Sequence, residues 1–310
     1  MNALTKVTVS PHIHSGRSTS RIMLDVLIAL LPATVAGVII FGWRALLPIV
    51  VCMVCCVGFE ALFNLITKRE QTVGDLSAAV TGLLIALNLP ANIPVWQCVV
   101  GSLFAIIVVK CLFGGIGNNL VNPAVTARVF MLVAFEAMAL PALPVNPAAD
   151  AVAGATPLAA EKMPSLLTMF LGNHGGAIGE TCGAALLLGF IYLLVRRVIT
   201  WHIPAAFVGT VFVFSFFMEG FNAVSALSFV MAGSLLIGAI FMATDYVTSP
   251  STAWGKVIFG LGAGLLTCII RYFSVYPEGV SFAILFMNIL TPYIDKWTRH
   301  RVFAVGGKKA

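Results

Sequence analysis

Apolar runs of about 20 residues recur along this chain, each bounded by a short polar stretch carrying Pro, Gly, Asn or a charge, and that length matches the hydrocarbon thickness of a bilayer better than it matches a buried core helix. The pattern predicts helical spans at 22–43, 46–66, 75–90, 95–113, 121–140, 180–195, 203–220, 225–243, 256–275 and 279–295. That makes about ten transmembrane helices. Spans three, five and six are short or broken by Pro, Gly and Asn, where a re-entrant segment is expected. The first twenty residues are polar and the first apolar run exceeds a signal h-region, so that run is expected to stay as an anchor.

Composition and charge then set class and orientation. Apolar residues make up 60% of the 310 and charged ones 10%, far from a globular balance. The basic residues fall beside particular spans: Arg17 and Arg21 before the first, Lys68 and Arg69 after the second, Arg196 and Arg197 after the sixth, and Lys296, Arg299, Arg301, Lys308 and Lys309 after the last. In a ten-span chain these share one side, which the positive-inside bias makes cytoplasmic. The expected division is a cytoplasmic segment 1–21, a first five-helix membrane half 22–140, an extracytoplasmic loop 141–179, a second half 180–295 and a basic cytoplasmic tail 296–310. Both termini lie inside, in the inner membrane. The net charge of +6 reflects these flanks and calls for lipid, with no nucleic acid as partner.

An internal echo supports the count. "TGLLIALNLP" (Thr81 to Pro90) recurs loosely as "GSLLIGAIFMATDYVTSP" (Gly233 to Pro250), and an apolar span, a turn and another span follow each copy. Five spans per half make the halves inverted about an axis in the membrane plane, an arrangement known in transporters.

Chemistry is sparse. "CMVCC" places Cys52, Cys55 and Cys56 at helical spacing, without a second motif or a His to complete a metal site, so these read as small packing residues. "GGIGNN" (Gly114 to Asn119) lacks the Lys-Ser/Thr ending of a phosphate loop and reads as a tight turn or as an anion cradle. Asn122 and Pro123 break the span that follows, and Arg128 within it either reaches the interface or answers a buried anion. "FMATDYVTSP" is the matching break in the other half, placing Thr244 and Asp245 in a loop or on the wall of a polar pocket. Lys110, Arg271 and Glu278 are expected to snorkel to the interface, and Asp25 and Glu60 to cap helices or make contacts between subunits. No Ser/His/acid set suggests catalysis by this chain alone. The stretch "DAVAGATPLAA" (Asp150 to Ala160) is built of small residues around one hydroxyl, Thr156, and by itself reads as a loop before a helix.

Taken together, "SPHIHSGRSTSRIMLDVLIALLPA", "GGIGNNLVNPAVTARVF", "GATPLA", "FMATDYVTSP" and "YPEGVSFAILFMNILTPYID" resemble the RnfD component of the Rnf electron-transport complex, and the NqrB component of the Na+-translocating NADH:quinone reductase. The resemblance covers nearly the whole chain. It implies a urea-transporter-like membrane fold of two inverted five-helix repeats. It also implies FMN joined through its phosphate to Thr156, with Gly154 and Ala155 keeping the acceptor peptide slim for the flavin transferase. Ala159 stands where related attachment sites often have Ser or Thr. A second, non-covalent flavin, riboflavin, is implied in the membrane; Asn118, Asn119, Asn122, Arg128, Thr244 and Asp245 are the candidates for its contacts or for phosphate. The implied role is that of a non-catalytic component of a ferredoxin:NAD+ oxidoreductase that moves Na+ or H+. Its partners in the Rnf complex would be the flavin-bearing RnfG component and the iron–sulfur and NAD-binding subunits. A solute or ion channel of the urea-transporter type is the competing reading.

Overall fold

The computed structural model describes residues 18–135, 138, 142–144, 158, 164–274 and 278–299. Among them the chain is helical, and the one pairing of extended backbone is an isolated bridge between Ala142 and Gly176. Helix α1 (Thr19–Phe41) starts on Ser18, whose hydroxyl accepts from the Arg21 amide, and passes through a 3-10 turn at Gly42 into α2 (Leu46–Ile66). Then come α3 (Ser77–Leu87), α4 (Val95–Leu103) continuing as a π-helix over Phe104–Cys111, and α5 (Pro123–Ala134). A short α6 (Leu166–Leu171) precedes α7 (Gly183–Val195) and α8 (His202–Met218). Helix α9 (Ala223–Met231) breaks into α10 (Leu235–Ile237), which runs on as a π-helix over Gly238–Met242, and α11 (Ala253–Phe273) and α12 (Val280–Thr298) complete the chain.

By length and composition, Thr19–Ile66 and Ala253–Phe273 are suited to cross a membrane, and Ala223–Met231 with Leu235–Met242 form a pair bent by 68°. Most of the expected spans thus appear as helices shifted by a few residues at their ends. The clear break falls in the eighth, whereas the sequence pointed to the third, fifth and sixth. The reason lies at Ala232–Ser234: Gly233 takes φ 66, and Arg271 on α11 donates to the freed carbonyls of Phe229 and Ala232, both at 2.9 Å. Arg271 is therefore a buried clasp on a broken helix, and the expectation that it snorkels is wrong.

Close approach organises the packing. On α11, Gly260 and Gly264 sit where a β-carbon would lie 2.7 Å from Ala206 Cβ and 2.6 Å from Thr210 Cβ of α8. Small residues four apart let two apolar helices meet backbone to backbone, the packing available where lipid is as apolar as the side chains. Between α2 and α3, Gly82 does the same: a β-carbon there would come within 2.7 Å of the Cys52 carbonyl oxygen. The loop before α7 folds back into the bundle, its Ile178 and Gly179 amides donating to the Leu89 and Leu87 carbonyls at 3.0 and 2.7 Å. This loop supplies acceptors with partners where α3 ends inside the protein, as backbone polarity requires.

Candidate functional site

The two breaks face each other across one cavity. A cavity of about 90 Å³ lies among the start of α3, the end of the α4 π-helix, the start of α5, the end of α7 and the segment after Met242. Val80, Leu84, Leu193 and Phe241 give it apolar walls, and Asn119, Asn122, Thr244 and Asp245 line it with polarity. Apolar walls with a few convergent polar groups are the mixture that binding sites for small organic molecules use. Residues 118–123 and 243–250 are far apart in sequence, and the helix ends bring them together.

Asn122 caps α5: its Oδ1 accepts from the Ala124 and Val125 amides at 2.9 and 3.3 Å, and Pro123 occupies the first helical position, where no amide is missed. Its Nδ2 donates to the Met242 carbonyl at 3.2 Å, tying α5 to the end of the π-helix. Thr244 donates back to the Ile240 carbonyl at 2.6 Å, and Asp245 accepts from the Thr248 hydroxyl at 3.1 Å. Asn119 is different: its buried Oδ1 has no hydrogen-bond partner, an acceptor left over on the cavity wall. Asn118 is exposed, does not line the cavity and donates to the Gly114 carbonyl at 3.4 Å, so the tight-turn reading of that stretch holds for it.

Lys110 also reaches this wall, although it is only 1% exposed. Its ammonium donates to both oxygens of Glu60 at 2.9 and 3.0 Å and to Ser77 Oγ at 2.5 Å, while Thr72 donates to the same carboxylate at 2.8 Å. Snorkelling by Lys110 and helix capping by Glu60 are both corrected. The two apolar stretches on either side made each look like an edge residue, and only the crossing of α2 and α4 shows that they meet.

Arg128 lies away from the cavity. From α5 it hydrogen-bonds Asn88 Oδ1 at the end of α3 and Glu278 ahead of α12, and its guanidinium stands 3.7 Å from Glu180 ahead of α7. The buried-anion alternative is the correct one for Arg128, and Glu278 leaves the interface to join it. The cavity runs along α3 from Ser77 to Leu84, and the charged cluster begins about one turn further on, at Asn88. Asp25 ties α1 to α7 by accepting from Tyr192 at 3.0 Å and Arg196 at 3.3 Å. Thr156, Gly154 and Ala155 lie outside the described residues. Leu158, two residues on, packs against the core beside Gly233, where a β-carbon would meet its Cδ1 at 3.0 Å and Arg271 at 3.2 Å.

Apolar helices broken inside the protein, buried ion pairs and a cavity at the breaks together define a multi-pass membrane protein of the kind that builds sites from interrupted helices. The chain belongs to the NQR2, RnfD, RnfE family, whose model matches residues 6–304. It is 43% identical to the D-subunit of the Na(+)-translocating ferredoxin:NAD(+) oxidoreductase complex of Acetobacterium woodii, over 98% of this chain and 97% of that one. The D-subunit of the proton-translocating ferredoxin:NAD(+) oxidoreductase complex of Clostridium ljungdahlii is 40% identical, over 94% of each chain. The D-subunit of the ion-translocating oxidoreductase complex of Citrobacter koseri is 34% identical, over 96% of this chain and 98% of that one.

Proposed function

We propose that this chain is the membrane-embedded RnfD component of an ion-translocating ferredoxin:NAD+ oxidoreductase complex, carrying FMN esterified to Thr156 and a second, non-covalent flavin in the cavity between the breaks. The full-length likeness to the D-subunits of such complexes carries the reading. A flavin supplies electron transfer in one- or two-electron steps, and the protein supplies attachment, position and surroundings.

The residues of the cavity suit a neutral flavin. Leu84, Val80 and Phe241 offer apolar surface to a ring system, and the unpartnered Asn119 Oδ1 offers an acceptor to a ring N–H. Lys110 on the same wall has its charge met by Glu60, and Asp245 adds a carboxylate, so the lining favours the uncharged ribityl chain of riboflavin over a phosphate. The candidates for this site reduce to Asn119, Asn122, Thr244 and Asp245; Asn118 and Arg128 drop out.

With α9 and α10 counted as one broken helix, ten helices pair as α1 to α5 with α7 to α12, the broken one standing against the short α3 as inverted counterparts of a urea-transporter-like fold. The helix broken at Gly233, the half-helix α3 and the contact of α5 with α12 support that pairing. Cytoplasmic termini, an extracytoplasmic loop 141–179 and membrane halves 22–140 and 180–295 follow, in the inner membrane. The RnfG component, the iron–sulfur and NAD-binding subunits and the flavin transferase are the partners.

Denaturing electrophoresis under ultraviolet light, after co-expression with the flavin transferase, tests the attachment. The wild-type chain should give a fluorescent band at its mass that is absent from Thr156→Ala. Acid extraction of the same Thr156→Ala protein, purified in the complex, should still release riboflavin. A dark wild-type band with no extractable flavin would instead favour a solute or ion channel built on the same breaks.

A further inference from the structure

The charged cluster just past the end of α3 does not line the cavity. Its centre is Arg128, 3% exposed, and two carboxyls converge on it: Glu278 through a direct hydrogen bond, Glu180 at 3.7 Å. Glu180 is as deeply buried. Its Oε1 accepts from the Ala177 amide at 2.8 Å, but its Oε2 has no hydrogen-bond partner. The Oε2 atoms of both carboxyls stand at the same Arg128 nitrogen, so the two acids converge on one point. Two acceptors facing each other make no bond unless one of them holds a proton.

The other charged and polar groups around the pair do not remove the need. Asn88 presents its Oδ1 to Arg128 and spends its Nδ2 on the Leu84 carbonyl at 2.7 Å. Arg271 on α11 acts on both acids through its field, yet its hydrogen bonds go to the Phe229 and Ala232 carbonyls. Cys268 and Tyr272 of α11 face Arg271. His174, in the loop that carries Glu180, turns its Nδ1 to the Gly175 carbonyl. At contact distance a single guanidinium therefore meets two carboxyls, and Glu180 Oε2 is left buried without a donor at hydrogen-bond distance, which is costly for an ionised carboxylate.

We propose that Glu180 and Glu278 form a proton-binding site, one proton being held between the two carboxyls beside Arg128. Binding converts one carboxylate to the acid by forming an O–H bond with a proton from water, and release reverses it; nothing is oxidised or reduced. Glu278, whose side chain is 15% exposed against 3% for Glu180, is the door. A proton suits the site better than a metal cation, which needs several oxygen ligands in space that the guanidinium occupies. The site joins the end of α3, the loop before α7, α5 and the entry to α12, so a change of charge here bears on each of the helices that meet at the breaks. It stands independently of the flavins.

Infrared difference spectroscopy of the purified intact complex, titrated between about pH 5 and 9, tests it. The expected result is a carboxylic-acid carbonyl band that appears as pH falls, is lost in Glu180→Gln, and in Glu278→Gln has its midpoint moved to lower pH by about one unit or more, because the neighbouring like charge is gone. Thr156→Ala should leave the band unchanged, which separates this outcome from the fate of the attached flavin. Replacing sodium by potassium should also leave it unchanged; loss of the band on adding sodium would mean that the carboxyls take a metal ion and would overturn the proposal. So would a wild-type complex without a titrating carboxyl band, or a band that survives in both glutamine variants. Should Glu180→Gln fail to assemble, the wild-type titration together with Glu278→Gln decides.

Discussion

Removing one member of the Glu60–Lys110 pair should cost far more than removing both. In Lys110→Met the Glu60 carboxylate stays buried with the Thr72 hydroxyl, at 2.8 Å, as its remaining side-chain donor. Breaking a buried pair in this way costs about 3–5 kcal/mol, because an uncompensated charge stays in a poorly polarisable interior. In the double variant Glu60→Leu with Lys110→Met the charge is gone. The surrounding hydroxyls keep partners: Ser77 Oγ still donates to Asp75 at 2.6 Å, and Thr72 still accepts from Asn64 at 3.0 Å. Replacing the whole pair by apolar groups of similar volume should therefore fall within about 1–2 kcal/mol of wild type. The single variant should therefore be about 1–4 kcal/mol less stable than the double variant, and a double-mutant cycle that adds Glu60→Leu alone reads the coupling between the two charges. Reversible unfolding of the purified chain in detergent, followed by tryptophan fluorescence, supplies the four stabilities. If Lys110→Met unfolds together with wild type, or if the double variant is as unstable as the two single variants summed, then water reaches the pair and the reasoning from burial fails.

The same unfolding assay reads the glycine contacts. Gly264→Leu forces a side chain into Thr210 and the Phe207 carbonyl and should destabilise by about 1–3 kcal/mol, whereas Gly209→Ala on α8, which meets open space, should be neutral or stabilise by about 0.5–1 kcal/mol. Asn122→Ala removes the cap of α5 and the tie to Met242 and should cost about 1–2 kcal/mol; Asn122→Asp keeps the cap, loses the tie and should lower the riboflavin recovered from the complex. Asn119→Leu removes an acceptor that has no protein partner, so it should leave stability within about 0.5 kcal/mol while lowering the riboflavin content; riboflavin content at the wild-type level would remove Asn119 from the site.

Helix positions were legible because the bilayer imposes a length and an apolar run obeys it: 46–66 coincides with α2, and 279–295 falls on α12. Asn122, Pro123, Thr244 and Asp245 were legible as breaks, since an Asn-Pro step and a polar run inside an apolar region both oppose a continuous helix. The break at Gly233 was missed because "MAGSLLIGAIF" holds no charge, Pro or Asn; what opens it is an arginine 38 positions further on, which offers donors to carbonyls that would otherwise have no reason to leave the helix. The buried ions were misread for the same reason. Lys110, Glu60, Arg271 and Glu278 each stand among apolar neighbours in sequence, where water at the interface is the simplest partner, and their true partners lie 39 to 150 residues away only once the fold has formed. Glu180 stands out in the sequence as a charge beside an apolar span and is buried, but nothing in "HGGAIGE" tells which cation it meets.

The breaks explain why charge can be kept so deep in an apolar protein. A continuous helix consumes its own amides and carbonyls and presents only side chains, whereas an interrupted one exposes backbone groups that must be answered. Here the answers come from groups that also carry charge or form a wall: Arg271 takes the carbonyls of α9, Asn122 takes the Met242 carbonyl, and the Ile178 and Gly179 amides take those of α3 while bringing Glu180 beside Arg128. Satisfying the backbone therefore positions the cavity along α3 and the carboxyl pair just past its end. A movement of α3 along its own axis would strain both at once, because Ser77 binds Lys110 at its start and Asn88 binds Arg128 just past its end. Occupancy of the cavity and protonation of the pair are thus expected to be coupled through a short, stiff element, and by linkage each would shift the other by the same factor.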